Sequence, residues 1–124
     1  MPQKKKILII EDEPGLLEMY KLYFERAGYQ VFDALGGELG LEIAKKEKPD
    51  LILLDILMPG VNGWEVIKKL KSNPETNQIL ILVFSNLAQL EEIQKGLALG
   101  ADDYIVKTDL TPKELLAKVG RMLD

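Results

Sequence analysis

The chain alternates short aliphatic runs with longer stretches in which apolar residues recur at helical spacing. Short runs rich in Ile, Leu and Val are typical of strands that a parallel sheet buries on both faces. These runs predict five strands, Ile7–Ile10, Gln30–Phe32, Leu51–Leu54, Ile79–Phe84 and Asp103–Val106. The amphipathic stretches predict five helices, Pro14–Ala27, Glu38–Lys46, Trp64–Lys71, Ala88–Leu99 and Thr111–Leu123. This alternation predicts a parallel sheet with helices on both faces and right-handed crossovers.

Turn and capping residues mark the ends of several predicted helices. Gly28 and Gly100 follow the first and fourth helices, where a left-handed residue commonly ends a helix. Thr111 and Glu114 have the spacing of a capping box at the start of the last helix. A length of 124 residues suits one hydrophobic core. We therefore expect one domain over residues 1–124, with no output domain in this chain.

Composition and charge exclude several classes of function. The formal net charge of −4 disfavours a general surface for nucleic acid, and no apolar stretch approaches the roughly 20 residues that cross a bilayer. We expect no direct nucleic-acid or membrane partner and a cytoplasmic location. The chain contains no Cys and no His, which removes disulfides, thiolate and His-based catalysis, and the usual zinc ligands. Carboxylates, hydroxyls and lysines remain, and these suit Mg²⁺ and phosphate chemistry.

Polar residues directly follow four of the predicted strands. They are Glu11 and Asp12, Asp55, Ser85 and Asn86, and Lys107. Because the carboxyl ends of parallel strands meet at one edge of a sheet, we expect these side chains to lie close together. Each of them alone is ordinary loop chemistry. Their coincidence at one edge favours a functional site.

The residue types suggest a role for each position. Asp12 and Asp55 offer carboxylates to Mg²⁺, with Glu11 holding a ligand or a water beside them. Lys107 supplies a positive charge that helps to neutralise a phosphoryl group arriving on Asp55. Ser85 offers a hydroxyl that hydrogen-bonds a phosphoryl oxygen.

In this arrangement the chain resembles the receiver domain of two-component response regulators, in particular the single-domain chemotaxis regulators. The resemblance rests on the acidic pair after the first strand, Asp55 before x-x-Met-Pro-Gly, Ser85 and Lys107. The intervals are 43 residues from Asp12 to Asp55, 30 to Ser85 and 22 to Lys107. The resemblance covers essentially the whole chain. It implies a flavodoxin-like fold with five parallel strands in the order 2-1-3-4-5 and five helices.

The resemblance also implies a function in phosphorelay signalling. Asp55 would accept a phosphoryl group from a phosphohistidine on a sensor histidine kinase or histidine phosphotransfer protein. The implied Mg²⁺ ligands are Glu11, Asp12, Asp55 and the backbone carbonyl of Leu57. Ser85 and Tyr104 would switch the face formed by the fourth helix, fifth strand and fifth helix, which controls an unknown downstream protein.

Such a domain is not an enzyme in the usual sense, because only its own phosphorylation and dephosphorylation are expected. We expect a monomer or a weak homodimer.

The chain departs from the family pattern near Asp55. Thr108 follows Lys107 where many relatives have proline, so a cis peptide bond there loses its chemical basis. Asn86 is larger than the Ala or Gly common at its position and narrows the access of a donor. Leu57 and Leu87 flank the site and cannot activate water. We therefore predict a long-lived phosphoryl group.

Two other classes of function compete with a working receiver. A degenerate receiver would act as a phosphorylation-independent protein-interaction module, although the intact site argues against it. An enzyme or cofactor binder with the same architecture would need glycines directly after the first strand, where this chain has Glu11 to Gly15 with mainly acidic residues. An aspartyl phosphatase would need a second acid two residues after Asp55, where Leu57 stands.

Overall fold

The computed structural model describes residues 3–58, 60 and 62–124, in which five strands alternate with five α-helices. The strands are β1 (Lys6–Ile10), β2 (Gln30–Ala34), β3 (Leu51–Leu54), β4 (Leu80–Ser85) and β5 (Asp103–Val106). The helices are α1 (Pro14–Arg26), α2 (Gly37–Glu47), α3 (Gly63–Ser72), α4 (Leu90–Ala98) and α5 (Pro112–Leu123). Each of the ten predicted elements is confirmed.

Most element boundaries differ from the predicted ones by one or two residues. β2 extends to Ala34, and Ser85 is the last residue of β4 instead of the first residue after it. α4 begins at Leu90 instead of Ala88, because the preceding residues stay extended, with Gln89 at φ −68° and ψ 137°. A single 3-10 turn, which the sequence did not predict, follows β5 from Lys107 to Asp109.

The strands form one parallel sheet in the order β2-β1-β3-β4-β5, as predicted. The register pairs Ile10 with Leu54, Leu54 with Val83, and Ser85 with Val106. The carboxyl ends of β1, β3, β4 and β5 are therefore aligned along one edge.

Alternate residues of each central strand face opposite hydrophobic layers. In β1, Ile7 and Ile9 face the layer formed with α1 and α5, and Leu8 and Ile10 face the layer formed with α2 and α3. These β1 side chains are buried, and complete burial of an aliphatic side chain is worth about 1.5–3 kcal/mol. Both faces of the sheet must exclude water, which explains the near-continuous aliphatic runs of the central strands. In the described part of the chain, no helix combines the length and apolarity that a bilayer crossing requires.

Candidate functional site

The sheet ladder continues one residue beyond β1 and β3 and fixes the two acids that follow them. The backbone N–H of Glu11 donates to the carbonyl of Ala34 at 3.1 Å, and that of Asp55 donates to the carbonyl of Ile10 at 3.0 Å. Both acidic residues are buried, with 5% and 6% of their surface exposed. A rigid backbone therefore holds both carboxylates at the same edge of the sheet.

Glu11, Asp12 and Asp55 converge as predicted. One carboxylate oxygen of each lies within 4.8 Å of the others, and Asp12 is the exposed member. Such a group of oxygen donors fits a hard divalent cation. Residues that directly follow two different strands supply these donors, so the fold itself assembles the group.

Lys107 connects the two buried acids. Its Nζ donates to Glu11 Oε2 and to Asp55 Oδ2, each at 2.9 Å. The sequence predicted a role for Lys107 at Asp55 alone, and the bond to Glu11 was not predicted. The sequence signal for this bond was the pair of adjacent acids after β1. They did not show which one turns inward.

The charges in the cluster do not balance. Burial raises the pKa of Glu11 to about 7, with the hydrogen bond from Lys107 opposing the shift and the nearby Asp55 reinforcing it. Burial would lower the pKa of Lys107, but hydrogen bonds to Glu11 and Asp55 outweigh it and raise that pKa. One ammonium group thus faces three carboxylates, and the excess negative charge fits a bound cation.

The loop after β3 supports the other side of Asp55. The N–H of Leu57 donates to Asp55 Oδ1 at 3.0 Å. α3 begins close to this loop, since a Cβ on Gly63 would lie 2.6 Å from the Cα of Ile56. The Asn62 side chain caps α3 by accepting from the N–H of Trp64 at 2.8 Å. The sequence predicted a helix from Trp64, but only the structure reveals how closely the start of this helix approaches Ile56.

Leu57 therefore lies beside Asp55. The binding of a metal ion by the Leu57 carbonyl remains a prediction. Pro59 of the Met-Pro-Gly motif lies outside the described residues.

Ser85 and Tyr104 meet through the backbone of Leu87. Ser85 is fully buried, and its Oγ accepts from the N–H of Leu87 at 3.3 Å. The hydroxyl of Tyr104 donates to the carbonyl of Leu87 at 2.6 Å. This half-buried tyrosine has a pKa raised chiefly by burial. The loop after β4 is thus tied to β5.

Several apolar side chains lie at the rim of the site on the side of α3. Leu57 is 52% exposed, and with Met58, Trp64 and Leu87 it lines a groove of about 440 Å³. Asn86 is exposed. The peptide bond between Lys107 and Thr108 is trans, as expected without proline.

The chain is similar to several known proteins. A family model described as the response regulator receiver domain matches residues 7–120. The alkaline phosphatase synthesis transcriptional regulatory protein PhoP of Bacillus subtilis is 42% identical over 121 residues, covering 96% of this chain and 48% of that relative. A CheY-like response regulator receiver domain protein from Methanospirillum hungatei has a TM-score of 0.91 and 32% identity, covering 98% of this chain and 95% of that one. The chemotaxis protein CheY4 of Vibrio cholerae has a TM-score of 0.90 and 29% identity, covering 96% of this chain and 98% of that one.

The chain spans about half the length of the curated relatives it matches.

Proposed function

Since the chain belongs to the response regulator receiver family, we propose that Asp55 accepts a phosphoryl group from a phosphohistidine on a sensor histidine kinase or histidine phosphotransfer protein. The observation that carries this proposal is the buried Asp55 carboxylate, held by Lys107 beside two further acids. The chain has no His, so these residues cannot themselves carry the phosphohistidine donor. We assign residues 1–124 to one receiver unit.

The geometry around Asp55 supports phosphoryl transfer. Each carboxylate oxygen accepts one hydrogen bond, from Leu57 N–H and from Lys107 Nζ, and keeps a lone pair for phosphorus. In the transfer an Asp55 oxygen forms the new bond to phosphorus, and the nitrogen–phosphorus bond of the donor breaks with its electron pair returning to the imidazole. Lys107 keeps its charge and stabilises the phosphoryl oxygens.

The acidic cluster fits Mg²⁺ as the cofactor of this transfer. Glu11, Asp12 and Asp55 would hold the ion, together with the backbone carbonyl of Leu57. When bound, Mg²⁺ supplies positive charge against the phosphoryl oxygens.

The contacts at Leu87 support a role for Ser85 and Tyr104 as the switch. A phosphoryl group on Asp55 attracts the Ser85 hydroxyl, and the backbone of Leu87 passes this movement to Tyr104. Tyr104 also lines a groove of about 520 Å³ between β5 and α5, which Ile93 of α4 borders. We propose this α4–β5–α5 face as the surface that controls a downstream protein.

Intact-protein mass spectrometry after incubation with acetyl phosphate and Mg²⁺ tests the proposal. We expect one added phosphoryl mass that requires Mg²⁺ and is absent in Asp55→Asn. A beryllofluoride titration is the second arm, because it binds the acceptor without needing a donor to pass Asn86. Failure of both arms would contradict the proposal and favour a phosphorylation-independent interaction module.

A further inference from the structure

Helix α4 approaches two aromatic rings at Gly96. A Cβ on residue 96 would lie 3.1 Å from Cζ3 of Trp64 and 3.3 Å from Cδ2 of Tyr104. At such distances the neighbouring ring, or the helix, must move by a few tenths of an ångström. Gly96 is buried, so α4 reaches this depth because the residue has no side chain.

The two rings lie next to the two loops that border the phosphoacceptor. Tyr104 is bonded to the loop after β4 through the carbonyl of Leu87. Trp64 lies in the first turn of α3, and with Leu57 and Leu87 it lines the groove beside Asp55. Gly96 is therefore a point of α4 that contacts both sides of the site.

The neighbouring residue on α4 makes the contact measurable. The Nζ of Lys95 lies 5.0 Å from the centre of the Trp64 ring, within the range of a cation–π interaction. The chain contains one Trp, so tryptophan emission excited at a wavelength that tyrosine does not absorb comes from this position alone. Displacement of α4 from Trp64 would change the environment of that single indole.

We propose that Gly96 is a positioning residue that seats α4 on Tyr104 and Trp64, so that occupancy of Asp55 is transmitted to α4. This inference rests on the phosphoacceptor function proposed above. When the loop at Leu87 moves, its hydrogen bond displaces Tyr104, and the tyrosine ring moves against Gly96. Helix α4 must then move as well, because no flexible side chain lies between the ring and the helix. A side chain at position 96 would wedge α4 away from both rings before any ligand binds.

Trp64 fluorescence with and without beryllofluoride and Mg²⁺ tests the proposal in the wild type, Gly96→Ala and Gly120→Ala. Gly120 is the matched control, since it lies within α5 and a Cβ there would meet only Tyr29 Oη, at 3.8 Å. We expect a fluorescence change in the wild type and Gly120→Ala. In Gly96→Ala the resting emission should already differ, the induced change should fall to less than about half, and the apparent beryllofluoride affinity should shift by roughly threefold or more.

Lys95→Gln provides a second test that does not depend on the stability of Gly96→Ala. Lys95 is exposed, so its replacement leaves the packing intact and removes the charge beside the indole. If α4 moves relative to Trp64, this variant will show a different induced fluorescence change from the wild type.

An unaltered response in Lys95→Gln, or equal responses in Gly96→Ala and Gly120→Ala, would overturn the proposal. Phosphoryl addition is measured by intact mass in the same samples. If the protein gains a phosphoryl group but Trp64 fluorescence does not change, only this inference is overturned. A wild type that gains no phosphoryl mass and binds no beryllofluoride overturns the proposed function as well.

Discussion

Lys107 is shared by two buried carboxylates, and this sharing decides how the site responds to pH. One ammonium group compensates Glu11 and Asp55 incompletely, and burial raises the pKa of Glu11 to about 7. The chain has no His, the side chain that ordinarily titrates in this range. Glu11 should therefore dominate the pH dependence of stability between weakly acid and neutral conditions.

In metal-free buffer we predict that the free energy of unfolding falls as pH rises from about 5 to about 7.5. A carboxyl whose folded pKa is raised binds more protons in the folded state, so its contribution is complete below the unfolded pKa and is lost as pH passes the folded pKa. The shift from 4.5 to about 7 corresponds to about 3 kcal/mol. Urea unfolding in the presence of EDTA, repeated across this pH range, measures the change in the free energy of unfolding. Glu11→Gln should flatten the profile, and an equal slope in the variant would contradict the assignment.

The two leucines at the rim decide how long a phosphoryl group on Asp55 should last. Neither Leu57 nor Leu87 offers a group that orients water. We predict a half-life of minutes or longer in Mg²⁺, and hydrolysis faster by roughly tenfold in Leu87→Glu, whose carboxylate can orient water. Loss of the phosphoryl mass over time measures both rates. A half-life of seconds in the wild type would refute the prediction.

At the scale of elements, helix starts next to the site show what the sequence could and could not predict. The order of strands and helices was predictable because buried parallel strands leave aliphatic runs and amphipathic helices leave a period of 3.6. The start of α4 was not, because the helical pattern at Ala88 does not reveal that Gln89 is extended or that the backbone of Leu87 is bonded to Ser85 and Tyr104. The Lys107–Glu11 bond was also missed, since residue spacing does not reveal which of two adjacent acids turns inward.

The approach of α3 to the loop after β3 leads to a prediction about Gly63. An added Cβ would lie 2.6 Å from the Cα of Ile56, and backbone atoms cannot yield as a flexible side chain would. We expect Gly63→Ala to lower the free energy of unfolding by about 1–3 kcal/mol. It should also slow phosphorylation, because it displaces the loop that donates the Leu57 N–H to Asp55.

Gly15→Ala is the control for Gly63→Ala, since nothing lies within 4 Å of a Cβ at that helical position. This variant should be neutral or slightly stabilised, because Ala is favoured over Gly within helices by up to about 1 kcal/mol. Chemical unfolding and the rate of phosphoryl addition are the measurements. Equal behaviour of the two variants would mean that the α3 start tolerates a side chain.

At the scale of the whole molecule, the site links three strands that are distant in sequence. Glu11 and Asp12 follow β1, Asp55 follows β3 and Lys107 follows β5, so global unfolding separates Asp55 and Lys107 from each other and from the adjacent pair Glu11 and Asp12. A cation that binds only the assembled cluster must therefore stabilise the entire domain. The stability of the fold thus becomes a direct measure of the metal site, independent of any phosphoryl donor.

We predict that Mg²⁺ at roughly one hundred times its dissociation constant raises the free energy of unfolding by about 2.7 kcal/mol at neutral pH. Asp12→Asn should abolish most of this gain. It should leave the metal-free stability equal or slightly higher, because Asp12 is exposed and repels two neighbouring carboxylates. Glu13→Gln is the control, since Glu13 is also exposed but lies outside the cluster. Urea unfolding with Mg²⁺ or EDTA separates the cases. A gain that survives Asp12→Asn, or that Glu13→Gln removes equally, would indicate general screening of negative charge instead of a metal site.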